Sequence, residues 1–447
     1  MLNLFARAAS SLLGDRPEPA DDPDVRDLLE ALGYAGEAAE SQSRSQARHR
    51  VHLLQAAAGF LRVFELSAPD APGLISLGAE FDPAIADPMH AGSPAVGVSG
   101  VGLSLQEAFQ GCIGEGVEYL SQLQTGDDRL ERVGSDDPMA GLGPQTRAFV
   151  ADFAAHRLRP DAPFSWCRAT RLLDGREIRL PADMAVRRPP GQREIKSPFP
   201  LSIGSAAGTS RDAAVLHGLL ELIERDAAGL WWRGGCRGRS IPPQDQAQLE
   251  AQALLSRLRQ DASARQSRLL DITTDIGVPC VAAVSCKADG FGFAFGLAAR
   301  PTLAAAARSA VLEMCQIELA DQIVEAKCAE RGEAALNEQD QVHRRRATLI
   351  NADQCPLLQP APESAEHLAI DVTEPGATLR SIAERLEQFG IETFTCNLTR
   401  ARFAIPAARV VAPGLQLEPS GIVTPRLADM IARTGGGASY TGGVALI

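Results

Sequence analysis

The chain has 447 residues, 45% of them hydrophobic, so it is long enough for two or three domains with a sizeable core. Its 44 basic and 56 acidic residues give a net charge of -12. This balance disfavours a nucleic-acid binder, because phosphate contacts need a basic footprint. A mean hydropathy of -0.07, with no apolar run long enough to span a bilayer, excludes a membrane-embedded protein. We expect a cytoplasmic protein with no nucleic-acid or membrane partner.

Nine cysteines are scattered along the chain, and none forms a C-x-x-C pair or lies near a histidine at zinc-finger spacing. An odd number without a pairing framework is typical of reduced thiols in a cytosolic protein. We therefore expect the cysteines to pack as small buried side chains.

The N-terminal part differs in texture from the rest of the chain. Its first residues, MLNLFARAASSLLG, predict a short amphipathic helix, because Arg7 interrupts the apolar run that a signal peptide needs. A proline-rich acidic linker over 15–26 and a helix over about 25–40 follow, and then a polar, flexible stretch over 40–50. Short apolar runs among Pro and Gly predict strands and turns up to residue 92. We place a domain boundary there, with 1–92 as an N-terminal appendage available for partner contact and 93–447 as the main domain.

Helices and strands alternate in the main domain. Hydrophobic periodicity predicts helices over 105–123, 145–156, 211–232, 302–327 and 378–389. Strands are predicted over 164–172, 178–182, 269–272, 279–285, 391–396 and 408–412. Because no internal repeat or heptad pattern accompanies them, we expect an α+β fold with mixed sheets packed against helices.

Three of these helices carry the same local pattern of polar residues. Each has a pair at spacing i, i+3, which places both side chains on one face of the helix. The second and third pairs lie among apolar residues, and helices that are apolar on nearly every side are buried. The pairs are Glu115 and Glu118, Glu221 and Glu224 with Arg225 beside them, and Glu313 and Gln316.

If the three faces converge, their five carboxylates cannot all be compensated by Arg225 alone. Divalent cations would solve this. Hard oxygen ligands with an amide suit Mg²⁺, which shares such ligands with substrate phosphates. Arg225 would then contact phosphate. The alternative is three unrelated, locally salt-bridged helices, for example with Glu221 paired to Arg225 at i, i+4.

The segment before the second helix, SIGSAAGTS (202–210), is rich in small residues. Its glycines allow close backbone approach, and Thr209 or Ser210 can cap the helix, which suits either an anion or close packing. His217, one turn before Glu221, either lines the same pocket or is a packed, hydrogen-bonded histidine. Neither a Walker-type loop nor a Rossmann G-x-G-x-x-G occurs, so ordinary P-loop and dinucleotide sites are excluded.

These motifs resemble the YcaO family over roughly residues 94–427. The resemblance rests on SAAGTSRDAAVLHGLLELIERDAAGLWW (205–232), LLDITTDIGVPCVAAV (269–284), FGLAARPTLAAAARSAVLEMCQIE (295–318) and RVVAPGLQ (409–416). It implies a YcaO-like catalytic domain over 93–447, with an ATP site between helices, no P-loop, and ATP and Mg²⁺ as cofactors. By position it implies metal ligation by Glu115, Glu118, Glu221, Glu224 and Glu313. It also implies that the same five residues, together with Gln316 and His217, bind the nucleotide, and that Arg225 contacts its phosphate.

Three positions depart from the family pattern. Gly111 replaces a serine four residues before the first glutamate, Val101 replaces the lysine of an upstream G-K-G signature, and His217 replaces a serine that often opens the second motif. The chain ends in TGGVALI, where many azoline-forming members have a Pro-rich tail. All five carboxylates are nevertheless present.

The resemblance implies ATP-dependent activation of peptide backbone amides. We expect a cyclodehydratase that forms thiazoline or oxazoline rings from Cys, Ser or Thr of a ribosomally made precursor peptide, as in antibiotic biosynthesis. The alternatives are thioamide formation with a sulfur donor and partner protein, and a non-catalytic YcaO-like scaffold. We expect a separate leader-peptide-binding partner of the ubiquitin-activating-enzyme type. A flavin dehydrogenase partner and homo-oligomerisation are left open, and no residue is assigned as catalytic.

Overall fold

A computed structural model describes residues 2–13, 22–35, 44–132, 139–158, 165–362 and 366–447. Its strands form three antiparallel sheets whose faces are covered by helices, so the predicted α+β class is confirmed. Within these ranges no helix combines the length and apolar character needed to cross a membrane. The predicted linker lies largely outside the described residues, as do residues 36–43.

The described helices are numbered in chain order. They are α1 (Leu2–Leu12), α2 (Pro23–Ala31), α3 (Arg44–Ala58), α4 (Leu105–Gln122), α5 (Pro144–Ala155), α6 (Ala182–Ala185), α7 (Arg211–Trp232), α8 (Gln246–Arg259), α9 (Leu303–Arg331), α10 (Glu338–Leu349), α11 (Pro375–Gln388), α12 (Pro425–Thr434) and α13 (Ala438–Thr441).

The strands fall into three sheets with the orders β1-β2-β3, β5-β4-β10-β11-β6 and β7-β8-β9. Their bounds are β1 (Arg62–Leu66), β2 (Ile75–Phe81), β3 (Val96–Gly102), β4 (Trp166–Arg171), β5 (Glu177–Pro181), β6 (Ser205–Ala207), β7 (Gln266–Asp271), β8 (Cys280–Cys286), β9 (Ala294–Ala299), β10 (Phe394–Asn397) and β11 (Ala407–Val411).

Each sheet supports one of the three helices that carry the polar pairs. Helix α4 packs on β3 and β2, α7 on β11 and β6, and α9 on β9 and β8. All three helices begin after a hydroxyl N-cap, since the side chains of Ser104, Ser210 and Thr302 each accept a hydrogen bond from the backbone N–H three residues further on. These caps fix where each helix starts and therefore which face its polar pair occupies.

Glycines let α4 and α9 lie unusually close to their strands. A Cβ at Gly100 of β3 would lie 2.1 Å from the backbone nitrogen of Cys112 in α4. A Cβ at Gly296 of β9 would lie 2.1 Å from the carbonyl oxygen of Ala310 in α9. Only glycine permits such a helix-to-strand approach. The side chains of α4 and α9 can therefore reach the backbone of the strands beneath them.

The C-terminal half of α7 is held deep in the largest hydrophobic cluster. Trp231 and Trp232 are 1% and 2% exposed, and their indole N–H groups donate to the carbonyl oxygens of Leu357 (2.9 Å) and Val444 (2.7 Å). The helix is thus fixed by segments from distant parts of the chain, as expected for a helix that is apolar on nearly all sides.

The N-terminal part contradicts several local predictions. Helix α2 ends at Ala31 instead of continuing toward residue 40, since Gly33 has a left-handed φ of +63°. Residues 44–50 are helical instead of flexible, and 51–58 continue the same helix instead of forming strands. The physical reason is burial at helical spacing, because Leu53, Leu54 and Ala57 of α3 pack into one cluster with α1 and α4.

The domain boundary proposed near residue 92 falls inside the first sheet. Strand β3 pairs with β2 along its whole length, from Ile75 opposite Gly102 to Phe81 opposite Val96. The N-terminal helices also share a hydrophobic cluster with α4. The division into 1–92 and 93–447 therefore stays a proposal about function, while the packing is continuous across it.

The nine cysteines are free thiols, and seven of them are buried. Cys236 and Cys328 are half-buried. The expected role as small packing residues holds for the seven buried ones.

Candidate functional site

The structure brings the three polar pairs together in one cluster. Glu118 of α4 lies close enough to Glu221 of α7 for the two negative charges to raise its pKa. Glu313 of α9 acts in the same way on Glu224 of α7, and Glu221 acts on Glu313. The convergence that spacing and burial left open is therefore present, and the alternative of three unrelated helices does not apply.

Backbone N–H groups at or beside the strands hold four of the five carboxylates in place. Ser99 donates to Oε2 of Glu115 (3.2 Å) and Gly204 to Oε2 of Glu221 (2.9 Å). On β9, Leu297 donates to Oε2 of Glu313 (2.8 Å) and Ala299 to Oε2 of Glu224 (3.3 Å). In each of these side chains, a hydrogen bond to one carboxylate oxygen fixes the orientation, and this hydrogen bond does not depend on a cation.

The surroundings raise the pKa of all five carboxyl groups. Loss of water around the side chains is the main cause, and it raises the pKa of Glu115 to about 7 and that of Glu224 to about 8. The pKa values of Glu118, Glu221 and Glu313 are raised for the same reason. Glu115 keeps a solvent-exposed face although protein atoms surround it densely, so it lies at the edge of the cluster. In the free protein the cluster therefore holds protons at pH values where exposed carboxyl groups have lost them.

Three arginines face the cluster, and only Arg225 was anticipated from the sequence. Its guanidinium group lies 3.6 Å from Glu221 and 3.9 Å from Glu224. Its Nε is buried and has no hydrogen-bond partner. Arg300, which follows β9, and Arg409 of β11 also act electrostatically on the carboxylates. When all five carboxyl groups are ionised, they carry two more charges than the three guanidinium groups. A divalent cation would balance this difference.

Arg409 is a functional-site residue that the sequence reasoning missed. Its side chain is 1% exposed and donates to the carbonyl oxygens of Met184 (3.1 Å) and Leu201 (2.8 Å). Burial lowers its pKa to about 10, while Glu221 and Glu118 favour its charged form. A single arginine within the apolar strand AARVV was the available signal, since a buried cation needs anionic partners.

Gln316 and His217 lie at the edges of the cluster. Nε2 of Gln316 donates to Oγ of Ser99 (2.8 Å), which joins α9 to the strand that also holds Glu115. Nδ1 of His217 is 3.3 Å from the carbonyl oxygen of Ala207, so this nitrogen carries the proton and Nε2 is the acceptor. Although His217 keeps an exposed face, the protein atoms packed around it displace water and lower its pKa, so its imidazole is neutral at pH 7.

The donor set fits Mg²⁺ held jointly with an anionic ligand. In the described part of the chain, no group of three or more His, Cys, Asp or Glu side chains is arranged to hold a metal ion by itself. Mg²⁺ does not require such a cage, because it usually binds one or two carboxylates together with water and substrate phosphates. The unpaired Nε of Arg225 beside these carboxylates suits the phosphate part of such a ligand.

Two of the sequence departures concern packing more than charge. Val101 packs against the hydrophobic cluster of α8 and α9, so the position of the family's lysine is apolar here. Gly111 on α4 faces the backbone of Gly100, and a Cβ there would lie 3.6 Å from its Cα. A serine would fit sterically at position 111, and the glycine is not imposed by space.

An acidic cluster between three helices, with arginines beside it, suits a cation together with a phosphate-bearing ligand. A family model described as YcaO cyclodehydratase, ATP- and Mg²⁺-binding, matches residues 99–416. The match covers more than half of the chain, and the protein belongs to the YcaO family, with ATP and Mg²⁺ as the cofactors of that family.

Solved structures show the same fold. A heterocyclase in complex with substrate and cofactor aligns with a TM-score of 0.66 and 20% identity, over 88% of this chain and 55% of the heterocyclase. YcaO from Methanopyrus kandleri, bound with AMPPCP and Mg²⁺, aligns with a TM-score of 0.56 and 19% identity, over 83% of this chain and 89% of that one. A chain of the E. coli microcin synthetase McbBCD complex aligns with a TM-score of 0.55 and 15% identity, over 79% and 87%.

Among curated proteins, the chain is 27% identical over 279 residues to an uncharacterised protein in the tfuA 3′ region of Rhizobium leguminosarum bv. trifolii. The alignment covers 58% of this chain and 62% of that protein. The chain therefore spans less than two thirds of this relative and about half of the heterocyclase.

Proposed function

We propose that the protein uses Mg²⁺ and ATP to activate backbone amides of a precursor peptide and closes thiazoline or oxazoline rings from its Cys, Ser or Thr side chains. The observation that carries the proposal is the convergence of five carboxylates and the incompletely paired Arg225 in a family that binds ATP and Mg²⁺. A heterocyclase of the same fold was solved with substrate and cofactor, which supports the choice of reaction.

In this proposal Glu115, Glu118, Glu221, Glu224 and Glu313 supply the oxygen ligands for Mg²⁺. When bound, the cation neutralises charge on the phosphates of ATP. The backbone donors at Ser99, Gly204, Leu297 and Ala299 orient four of these ligands before binding. Because these contacts are already made, little reorganisation accompanies binding.

Arg225 is the proposed phosphate contact. Its Nε lacks a hydrogen bond, and its two carboxylate neighbours lie beyond hydrogen-bond distance, at 3.6 and 3.9 Å. A phosphate oxygen can therefore approach without breaking a strong internal pair. The neutral His217 presents Nε2 as an acceptor, and Gln316 braces α9 against β3.

The proposed reaction balances as a dehydration coupled to phosphoryl transfer. A thiol or hydroxyl of the substrate adds to the carbon of the preceding amide and loses its proton. The amide oxygen takes the γ-phosphoryl group of ATP, and ADP is released. Phosphate then leaves with that oxygen, the amide nitrogen loses its proton, and the C=N bond of the azoline forms. If sulfide replaces the side-chain nucleophile, the same activation yields a thioamide.

The first experiment is calorimetric titration of ATP into the protein with and without Mg²⁺. Glu224→Gln should abolish the Mg²⁺-dependent heat. Glu107→Gln should leave it unchanged, because Glu107 is an exposed residue of α4 that pairs with Arg308 outside the cluster. Binding by wild type that is equally strong in Glu224→Gln would refute the assigned site.

The product distinguishes the competing activities. Loss of one water per modified Cys, Ser or Thr, read by mass spectrometry of the precursor, is the expected result. Exchange of an amide oxygen for sulfur would establish thioamide formation instead. A folded protein that binds no Mg²⁺–ATP, alone or with a leader-binding partner present, would indicate a scaffold. The McbBCD complex with bound pro-MccB17 supports testing a heteromeric assembly.

A further inference from the structure

A polar cavity lies beside the C-terminal end of α7, beyond the turn that carries Glu224 and Arg225. It has a volume of about 800 Å³ and is formed by α7, α12 and the loops over 236–239, 272–277 and 366–368. Residues 227, 230 and 231 of α7 line it, whereas Glu221, Glu224 and Arg225 do not. The cavity is therefore separate from the proposed nucleotide site.

Five arginines line this cavity, in a protein whose net charge is -12. Arg426 is committed to carboxylates, since Nη2 donates to Asp226 (2.8 Å) and Asp275 (2.6 Å). Among the residues that the structure describes, the other four form no ion pair. They are Arg237, Arg239, Arg385 and Arg433, which donate hydrogen bonds to uncharged oxygens. The carboxylates that line the cavity are Asp275, Glu366 and Asp429, so among the lining residues the five arginines exceed them by two charges.

Arg239 provides a donor without a partner. It follows α7 and donates through Nη2 to the carbonyl oxygen of Thr273, while its Nε is buried without a hydrogen bond. The guanidinium groups of Arg239 and Arg433 both lie close enough to Cys236 to act on its thiol electrostatically. Two arginines from different segments thus converge at one end of the cavity, the arrangement that binds a carboxylate or phosphate oxygen.

Part of the wall is apolar. Leu230, Trp231, Ile272, Leu368 and Met430 line the cavity together with the arginines. A volume of 800 Å³ exceeds what an isolated phosphate fills and lies within the range that holds several residues of a ligand. The ligand that matches both features carries negative charge and an apolar side chain.

We propose that this cavity binds an acidic peptide segment with an apolar side chain, whose carboxylates contact Arg239 and Arg433. Assigning that segment to the precursor peptide rests on the proposed function. The two sites share α7, so a peptide anchored here is held next to the helix that carries Glu224 and Arg225.

The test is fluorescence anisotropy with a labelled peptide of alternating glutamate and leucine, beside a glutamine–leucine peptide of equal length. We expect the glutamate peptide to bind at least about tenfold more tightly, and Arg433→Gln or Arg239→Gln to weaken it about tenfold, as for the loss of one charge-assisted contact. Arg402→Gln, an exposed arginine outside the cavity, is the matched control and should have no effect. Arg433→Gln removes only a contact within its own helix, so it tests the site even if Arg239→Gln fails to fold.

Equal binding to wild type and both cavity variants would overturn the location. If the glutamate peptide does not bind to wild type, the ligand class is wrong. The same holds if wild type binds inorganic pyrophosphate but not the peptide. Mg²⁺–ATP titration of the same samples separates this proposal from the previous one. Failure of nucleotide binding, alone and with a leader-binding partner present, while the peptide response stays intact would refute the proposed function and leave the acidic-peptide site standing.

Discussion

Replacing Glu224 by glutamine should stabilise the free protein, although it abolishes nucleotide binding. Glu224 has a side chain that is 10% exposed, and its pKa rises from an ordinary 4.5 to about 8, mainly through burial. The folded state therefore keeps the proton to higher pH than the unfolded state. The stability that comes from this group is complete below pH 4.5 and is lost as pH rises toward 8.

The magnitude follows from proton linkage. At about 1.4 kcal/mol per pKa unit, the raised pKa of Glu224, which ionises freely only in the unfolded state, costs the fold at most about 2 kcal/mol at pH 6 and about 4 kcal/mol at pH 8. Coupling to Glu313 and the attraction to Arg225 reduce both values. For a chain of this length, 1 kcal/mol corresponds to about 1 °C in Tm. Glu224→Gln should therefore raise Tm by up to about 2 °C at pH 6 and up to about 4 °C at pH 8.

The assay is thermal unfolding in EDTA without nucleotide at pH 6 and pH 8, both above the pI of about 5.2. Glu107→Gln, the exposed control on α4, should shift Tm by no more than about 1 °C. With Mg²⁺ and ATP at a hundred times Kd, wild type should gain roughly 3 °C and the variant nothing, which reverses their order at pH 6 and nearly closes the gap at pH 8. A variant that is less stable than wild type at both pH values, or a difference that does not grow with pH, would refute the reasoning.

Three further outcomes are expected. Binding of Mg²⁺–ATP at pH 7.5 should release roughly one proton, because a cation displaces the protons that Glu115 and Glu224 hold at pKa values of about 7 and 8. Calorimetry in buffers of different ionisation enthalpy measures this release. A binding heat that does not depend on the buffer would contradict it. Arg409→Met should destabilise the fold by about 3–5 kcal/mol, since Glu118 and Glu221 lose a buried cation; an unchanged Tm would show that they do not need it. Gly204→Ala should lower the free energy of unfolding by about 1–3 kcal/mol and weaken nucleotide binding, because φ is +83° and a Cβ would lie 2.6 Å from the carbonyl oxygen of Val410. Urea unfolding measures the loss. Gly191→Ala, where a Cβ meets nothing within 4 Å, is the control.

Long helices of the main domain were predictable from the sequence because burial and capping agree. Helix α7 was expected over 211–232 and is found there, with Ser210 as its N-cap. Short strands were harder to recognise. Strand β3 consists of alternating Val, Gly and Ser and owes its form to pairing with β2 and to the close approach of α4. Helix α3 was missed because its first half is polar, and only the core shows which residues face inward.

The candidate site was predictable as far as its carboxylates, because each pair lies within one helix. The parts that come from strands were not. The backbone donors at Ser99 and Leu297 carry no signal of their own, since their role depends on which helix packs above them. Arg300 and Arg409 lie in segments that the family resemblance includes, yet a lone arginine does not reveal which carboxylate it faces.

The carboxylates of the cluster are incompletely paired with cations, whereas other buried carboxylates on the same helices, α7 and α9, are fully paired. On α7, Asp226 directly follows Arg225 and is fully paired, since Nη2 of Arg426 donates to it at 2.8 Å. On α9, Glu318 lies five residues after Glu313 and pairs with two arginines, Arg259 at 2.7 Å and Arg265 at 3.1 Å. The chain therefore neutralises buried carboxylates closely where structure alone requires it. Glu224 and Glu313 accept only a backbone N–H each at comparable distance, which leaves charge for a ligand to neutralise and costs the free protein stability.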